Sequence, residues 1–356
     1  MSRYFSKKYD LLEAYTPGEQ PKNREYIKLN TNESPFPPSE SVICAVEEES
    51  RNLQLYSDPE CTELNKTASD FFGVKPGQIL MTNGSDEILN FAFMAFGDSE
   101  HPFVFPDITY GFYPVFANLN RIPFETIPLK DNFSIDINDY MNINKNIVIA
   151  NPNAPTGIAL SLGEIENIVK SNPDNIVIID EAYVDFGGES SISLIDRYDN
   201  ILVTRTFSKS YSLAGARLGF GIANESLIAD LNTIKYSTNP YNINRMTMAA
   251  GIAALNDDAY YKKNCAEIIK TREYTKEKLK SSGFTVTESR ANFLFAKHSY
   301  VGGETLYKKL KEKGILIRHF NVERIKDFNR ITVGTKEQMD ALLSAIESVL
   351  KEENEK

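Results

Sequence analysis

At 356 residues the chain exceeds what one hydrophobic core serves well, so two domains are expected. Counting 39 Lys and Arg against 49 Asp and Glu gives a net charge of -10, which argues against a general nucleic-acid binder because neutralising phosphates needs a basic face. Three cysteines (Cys44, Cys61, Cys265) and three histidines (His101, His298, His319) lack disulfide or metal-ligand spacing, and no segment approaches the ~20 apolar residues of a membrane span, so a soluble, cytoplasmic chain without a metal is expected.

The first ~35 residues are rich in Pro, Asn and charge and end in LNTNESPFPP, which rules out a regular helix and reads as an extended arm. A helical pattern starts near Val42, breaks at YSDPEC and resumes in ELNKTASDFFG. The middle alternates helical segments with short β-branched runs: QILMT (78–82), IVIA (147–150), IVIID (176–180), ILVTRTF (201–207) and RLGFGIA (217–223). Unbroken apolar strands of this length suit a mainly parallel sheet covered on both faces, and Ser161 with Glu164 forms a capping box at the helix after IVIA. A long helical stretch then runs from Asp257 to Gly283. Beyond it FTVTE, NFLFA, a helix near 303–313, ILIRHF, RITVG and a last helix from 336 to about 352 read as a compact α+β unit. The expected division is an arm and the start of a small domain over 1–40, a large domain over 41–255 and a small C-terminal domain over 256–356.

Chemistry gathers in three segments. NGSDE places Gly84, Ser85 and Asp86 between a strand and an apolar helix, where backbone N–H groups bind phosphate well, although a plain turn with a capping Ser or Asp has the same sequence. IVIIDEAY sets Asp180 just past a buried strand, where open α/β sheets commonly carry functional groups; its carboxylate suits a protonated ring nitrogen or a neighbouring N–H. Tyr183 follows three residues on. In TRTFSKSYSLAGARLGF, Lys209 stands among Thr206, Ser208 and Ser210, with Arg217 eight residues later. A lysine in such company can trap a carbonyl while the hydroxyls and the arginine hold a phosphate.

In the order and separation of LNTNESP, YSDPE, NGSDE, ITYGFY, NPNAPTG, DEAY, RTFSKSYSLAGARLGF, ANFLF, ILIR and NRITVG, from Tyr15 to Gly334, the chain resembles the fold-type I aminotransferases and, within them, the histidinol-phosphate aminotransferases. The resemblance implies a large domain with a mainly parallel seven-stranded sheet, a smaller α+β domain, and pyridoxal 5'-phosphate as cofactor. It implies that Lys209 binds the cofactor as a Schiff base and that Asp180 pairs with the ring nitrogen. Tyr183 would hydrogen-bond the ring's phenolic oxygen and Tyr110 would stack on the ring. Gly84, Ser85 and Asp86 by backbone, with Thr206, Ser208 and Arg217 by side chain, would hold the phosphate. Tyr56 would reach the cofactor of a neighbouring subunit in a homodimer. Histidinol phosphate, glutamate and 2-oxoglutarate would be the substrates, met by Tyr15, Asn32, Arg318 and Arg330.

One departure stands out: the asparagine usual before Pro-Thr-Gly is Ala154 here, so Asn153 or Asn151 takes over its contact with the ring oxygen, or Tyr183 carries it alone. Arg330 sits where the family grips an α-carboxylate by a bidentate fork. Arg318 lies in an apolar strand that a charge would not favour, as a second anion ligand or as an edge-strand residue; Asn32 is equally a local turn former. Rival functions on the same scaffold are an aromatic or broad-specificity aminotransferase and a threonine-phosphate decarboxylase. A non-catalytic regulator with this fold would need a basic helical module upstream of the arm.

Overall fold

The computed structural model describes residues 2–10, 12–21 and 24–355. Its strands are β1 (Ile27–Lys28), β2 (Ile79–Thr82), β3 (Phe103–Pro106), β4 (Phe124–Ile127), β5 (Asn146–Ala150), β6 (Val177–Asp180) and β7 (Ile201–Thr206). They continue with β8 (Gly219–Ala223), β9 (Phe284–Val286), β10 (Phe293–His298), β11 (Ile315–Leu316), β12 (Arg318–His319) and β13 (Asn329–Thr332). Seven of them make one sheet in the order β2-β8-β7-β6-β5-β3-β4. From β7 to β4 all pairs are parallel, while β8 runs against both of its neighbours.

The physical reason for this sheet is legible in β5, β6 and β7, where every residue is buried. Side chains alternate between faces. Val177, Ile179, Ile201 and Val203 enter one core, and Ile178 and Leu202 enter the other. Each such side chain contributes roughly 1.5–3 kcal/mol when withdrawn from water. The same alternation turns Asp180 and Thr204 to the face of Ile178 and Leu202, a fact on which the site depends.

Helices cover both faces. One, Leu162–Ser171, starts at the capping box: the Ser161 N–H donates to Glu164 at 2.8 Å and the Glu164 N–H donates to Ser161 Oγ at 3.3 Å. The stretch 257–283 is the helix Asp258–Ser281, preceded by the helix Arg245–Asn256 with the break at Asp257. The strand expected from Arg217 begins only at Gly219, because Arg217 itself adopts a left-handed backbone at φ 55°. Within the seven-stranded sheet two strands, β3 and β4, were not evident in the sequence. Pro102 precedes β3 and Pro106 ends it, and β4 is a partly exposed edge reading FETI.

Toward the C-terminus an antiparallel sheet, β12-β13-β10-β9, packs with the helices Gly303–Glu312 and Lys336–Asn354. Leu294, Ile331, Leu342 and Ile346 form its core together with Leu29 from the arm. The run ILIRHF is interrupted at Ile317 and divides between β11 and β12. Parallel pairing of β1 with β11, Ile27 opposite Ile315, ties the end of the arm to this C-terminal unit. Among the described residues no helix is long and apolar enough to cross a membrane.

Candidate active site

A cavity of about 270 Å³ opens at the carboxyl ends of β5, β6 and β7, between Ala150, Asp180, Thr206 and Lys209. Asp180 forms its floor and is only 4% exposed. Its carboxylate is met by two neutral hydroxyls, Tyr113 Oη at 2.9 Å and Thr204 Oγ1 at 3.3 Å. Burial therefore dominates and pushes its pKa up to about 6. A carboxylate held in this way favours a cationic partner in the cavity.

Lys209 enters from the loop after β7. Its Nζ lies 5.8 Å from the centre of the Tyr183 ring and 3.4 Å from the Thr31 carbonyl. Tyr183 Oη accepts a 2.9 Å hydrogen bond from Asn32 Nδ2. Asn32 cannot rotate freely: its own N–H donates to Thr332 Oγ1 at 2.9 Å, and Thr332 Oγ1 donates back to its Oδ1 at 3.0 Å. The Tyr183 hydroxyl is thus held with its proton free to donate.

The opposite end of the cavity is built for an anion. The helix Ser85–Phe96 begins at Gly84 (φ 76°) with no side chain capping it, so its first N–H groups, at Ser85 and Asp86, remain available. A Cβ on Gly84 would stand 2.6 Å from Arg217 Nη2, and one on Gly219 would stand 2.4 Å from the Ser85 nitrogen. Only glycine permits this approach. Arg217 reaches Asp86 at 3.1 Å and Ser208 Oγ at 3.5 Å, and Thr206 Oγ1 donates to Ser208 Oγ at 2.9 Å. Tyr110 Oη donates to Asp86 at 2.7 Å, which places its ring on the wall between the two ends. An anion site, an amine and a buried carboxylate in one cavity match the phosphate, carbonyl and ring nitrogen of pyridoxal phosphate. The residues present fit that group.

A second cavity of about 380 Å³ adjoins the first and shares Thr31, Tyr110, Ala154, Tyr183 and Lys209 with it. Here the arm and the C-terminal sheet meet. Tyr15 stacks near Phe112, ring centres 4.3 Å apart, and lines this space with Asn32, Arg318 and Arg330. Arg318 and Arg330 are directly opposed across β12 and β13. Arg330 donates to the Asn30 carbonyl at 3.1 Å, lies over Phe293 and Phe320, and keeps a buried Nε without a partner among the described residues. Arg318 donates to the Thr16 and Pro17 carbonyls, both at 3.2 Å. Among the described residues neither guanidinium has a carboxylate within ion-pair distance. Two like charges in register repel each other unless an anion sits between them.

Two expected residues lie elsewhere. Asn153 does not line either cavity: its amide donates to the Ile108 carbonyl and to Thr156 Oγ1 while its oxygen accepts from Thr109, so the side chain braces its own loop. Asn151 is likewise committed to the Leu160 backbone in both directions. The position left by the usual asparagine is the methyl of Ala154, facing both cavities. Tyr56, 81% exposed, stands on the surface with its ring stacked on Tyr241 at 4.8 Å. Four site residues had escaped the sequence reading: Thr31, Glu33, Tyr113 and Thr204. Thr204 could have been found, since it shares the strand face of Thr206; Tyr113 carried no signal beyond its place in ITYGFY.

With this geometry in view, the chain is assigned by its matches: it belongs to the family Aminotransferase class I and II, which it matches over residues 24–346. More particularly, it is 50% identical to the histidinol-phosphate aminotransferase of Brachyspira hyodysenteriae, over 99% of this chain and 100% of that one. Among solved structures it is similar to the histidinol-phosphate aminotransferase of Clostridium acetobutylicum, with a TM-score of 0.84 at 26% identity over 92% and 99% of the two chains. The Sinorhizobium meliloti histidinol-phosphate aminotransferase, solved in complex with pyridoxal-5'-phosphate, shares the fold with a TM-score of 0.85 at 24% identity, over 92% of each chain.

Proposed function

We propose that this chain transfers an amino group between histidinol phosphate and 2-oxoglutarate, with glutamate as the other amino compound, using pyridoxal phosphate. The observation that carries the substrate is the opposed pair Arg318 and Arg330 in a cavity continuous with Lys209. A single α-carboxylate needs one guanidinium fork, whereas a phosphate ester of two negative charges offsets the repulsion of two.

Pyridoxal phosphate, when bound, supplies an electron sink for the bond broken at the substrate's Cα. The chain's own residues do the rest. The N–H groups of Ser85 and Asp86, with Thr206, Ser208 and Arg217, hold the phosphate. Asp180 keeps the ring nitrogen protonated, Tyr113 and Thr204 keep Asp180 oriented, and the Tyr183 hydroxyl donates to the phenolic oxygen. Lys209 would hold the cofactor through its carbonyl carbon, and its amine is the base placed to move the proton at the substrate's Cα. Tyr15 closes the arm side of the substrate cavity and Asn32 fixes Tyr183.

The working unit in this proposal is a homodimer in which Tyr56 of each subunit reaches the other's cofactor phosphate; an exposed ring clamped against Tyr241 supports that role. Residues 41–255 would form the cofactor-binding domain and 256–356 the small domain, with the cytoplasm as the compartment. The test is a single-turnover titration of the cofactor's visible absorbance with histidinol phosphate, histidine, phenylalanine and threonine phosphate. Histidinol phosphate should react fastest at limiting concentration. A faster reaction with phenylalanine, or release of carbon dioxide from threonine phosphate, would replace this function with one of its rivals.

A further inference from the structure

A guanidinium inside the central sheet calls for an explanation. β7 is buried along its whole length, yet Arg205, 6% exposed, stands within it. Thr204 and Thr206 turn toward the cavity, so the alternation of the strand turns Arg205 to the other face, beside the core that holds Val203 and Phe207. There it lies over the Phe72 ring at 5.2 Å, pairs with one carboxylate and feels the field of a second. Asp185, in the turn Val184–Phe186, pairs with it directly. Glu181 is buried and interacts with the same positive charge, while accepting from Ser190 Oγ at 2.6 Å and from the Ser191 N–H at 2.5 Å. The second oxygen of Asp185 accepts from Ser210 Oγ at 2.5 Å.

The order of these residues in the chain gives the cluster its meaning. Glu181 directly follows Asp180, and Ser210 directly follows Lys209. Ser210 is bonded behind the sheet to Asp185, which lies five residues beyond Asp180 and pairs with Arg205 of β7, so the successor of Lys209 is joined to the segment that follows Asp180. We infer that Ser210, Asp185 and Arg205 form a brace that fixes where Lys209 stands relative to Asp180. The inference rests on the assignment of Lys209 as the cofactor lysine. None of the three lines either cavity, so they are positioning residues.

A brace of this kind makes a different prediction from a buried ion pair that merely helps the fold. A small displacement of a reacting group costs rate far more than it costs binding. Ser210→Ala removes one hydroxyl and leaves Arg205 paired with Asp185. In the holoenzyme kcat should fall between about ten- and a hundredfold. KM for glutamate should stay within about twofold. The visible circular dichroism of bound cofactor, which reports how the ring is held, should weaken, and the apoprotein should take up pyridoxal phosphate more slowly. Melting of the apoprotein should change by only about 3 °C. Asp185→Asn, which still accepts from Ser210 but loses the charge facing Arg205, should give a smaller change in the same direction.

Wild-type kcat and dichroism in folded Ser210→Ala protein would overturn the brace. So would a variant that melts early while its folded fraction keeps wild-type kcat and dichroism, since the hydroxyl would then serve the fold alone. Lys209→Ala separates this from the assignment beneath it: an unchanged cofactor absorption band in that variant would remove Lys209 from the site, and the brace with it.

Discussion

The two adjoining cavities are built in opposite ways. The walls of the cofactor cavity come mainly from the ends of buried strands and from one helix start, with Thr31 and Glu33 of the arm at its edge, and its polar groups are tied to one another: Tyr113 and Thr204 to Asp180, Tyr110 and Arg217 to Asp86, Thr206 to Ser208. The substrate cavity is assembled from segments distant in the chain, Tyr15 and Asn32 on one side, Arg318 and Arg330 on the other. Among the described residues its two charges are met by main-chain carbonyls and aromatic faces. Carbonyls are partners that an incoming anion can replace at modest cost, whereas the cofactor cavity is organised in advance. On the proposed function, the contrast teaches that chemistry would be fixed by the sheet and specificity by the arm and the C-terminal strands.

Lys209→Ala breaks the organised side most completely. Glutamate-dependent turnover should fall by more than about a thousandfold, because the same amine holds the cofactor and moves the proton. Measurable steady-state turnover near the wild-type rate would contradict the assignment. Asp180→Asn should come next, with a loss in kcat far larger than in KM. It should also stabilise the apoprotein. Asp180 is raised from the ordinary 3.8 to about 6 by burial, so the folded chain keeps a proton that the unfolded chain releases, and stability falls as pH rises from about 4 to about 6. Above that range the cost is of the order of 3 kcal/mol at most, and the asparagine removes it. Thermal melts of the two apoproteins at pH 5 and pH 7.5 should diverge at the higher pH; parallel melts would mean that Asp180 is not strained by burial.

The arginines test the assembled side. Arg330→Ala should damage both half-reactions, since carboxylate and phosphate alike depend on it. Arg318→Ala should lower kcat/KM for histidinol phosphate by roughly tenfold while affecting glutamate less, as expected for one charge-assisted hydrogen-bonded pair. Stopped-flow measurement of each half-reaction separates the two, and an equal effect of Arg318→Ala on both would remove the phosphate from that cavity. The smallest effect concerns Tyr56→Phe, a few-fold loss in the homodimer by the loss of one hydrogen bond to a phosphate. Mixed with Lys209→Ala subunits it should recover activity, because one site in each heterodimer then carries neither change. Verified heterodimers with no recovery would place Tyr56 outside the partner's site.

How much of this was legible in the sequence depended on how local the cause was. The strands at 147–150, 176–180 and 201–206 announce themselves as unbroken apolar runs, and the capping box at Ser161 needs only four residues to be read. By contrast β3 follows one proline and ends on another, and β4 is a partly exposed edge strand; β3 joins the sheet by pairing with β5, and β4 by pairing with β3. The motif resemblance brought Lys209, Asp180, Tyr183 and Arg217 to one cavity's worth of sequence. It misled at Asn153, where proximity to Ala154 suggested substitution but the loop uses the amide to hold Thr109, Ile108 and Thr156. Tyr113 was invisible because its function follows from helix packing across the sheet, not from any neighbour in the chain.

The pairing of β1 with β11 bears on how the molecule comes into being. A ribosome delivers Ile27 early and Ile315 almost last, and domains tend to form as units while the chain is still emerging. By the time Ala223 has appeared, every strand of the seven-stranded sheet exists and the cofactor's end of the molecule can consolidate. Tyr15 and Asn32 must wait, tethered but without the strands they will face, until Arg318, Arg330 and Thr332 have been made. A nascent chain stalled before that point would hold the means to bind pyridoxal phosphate but not the two arginines that would choose an amino donor.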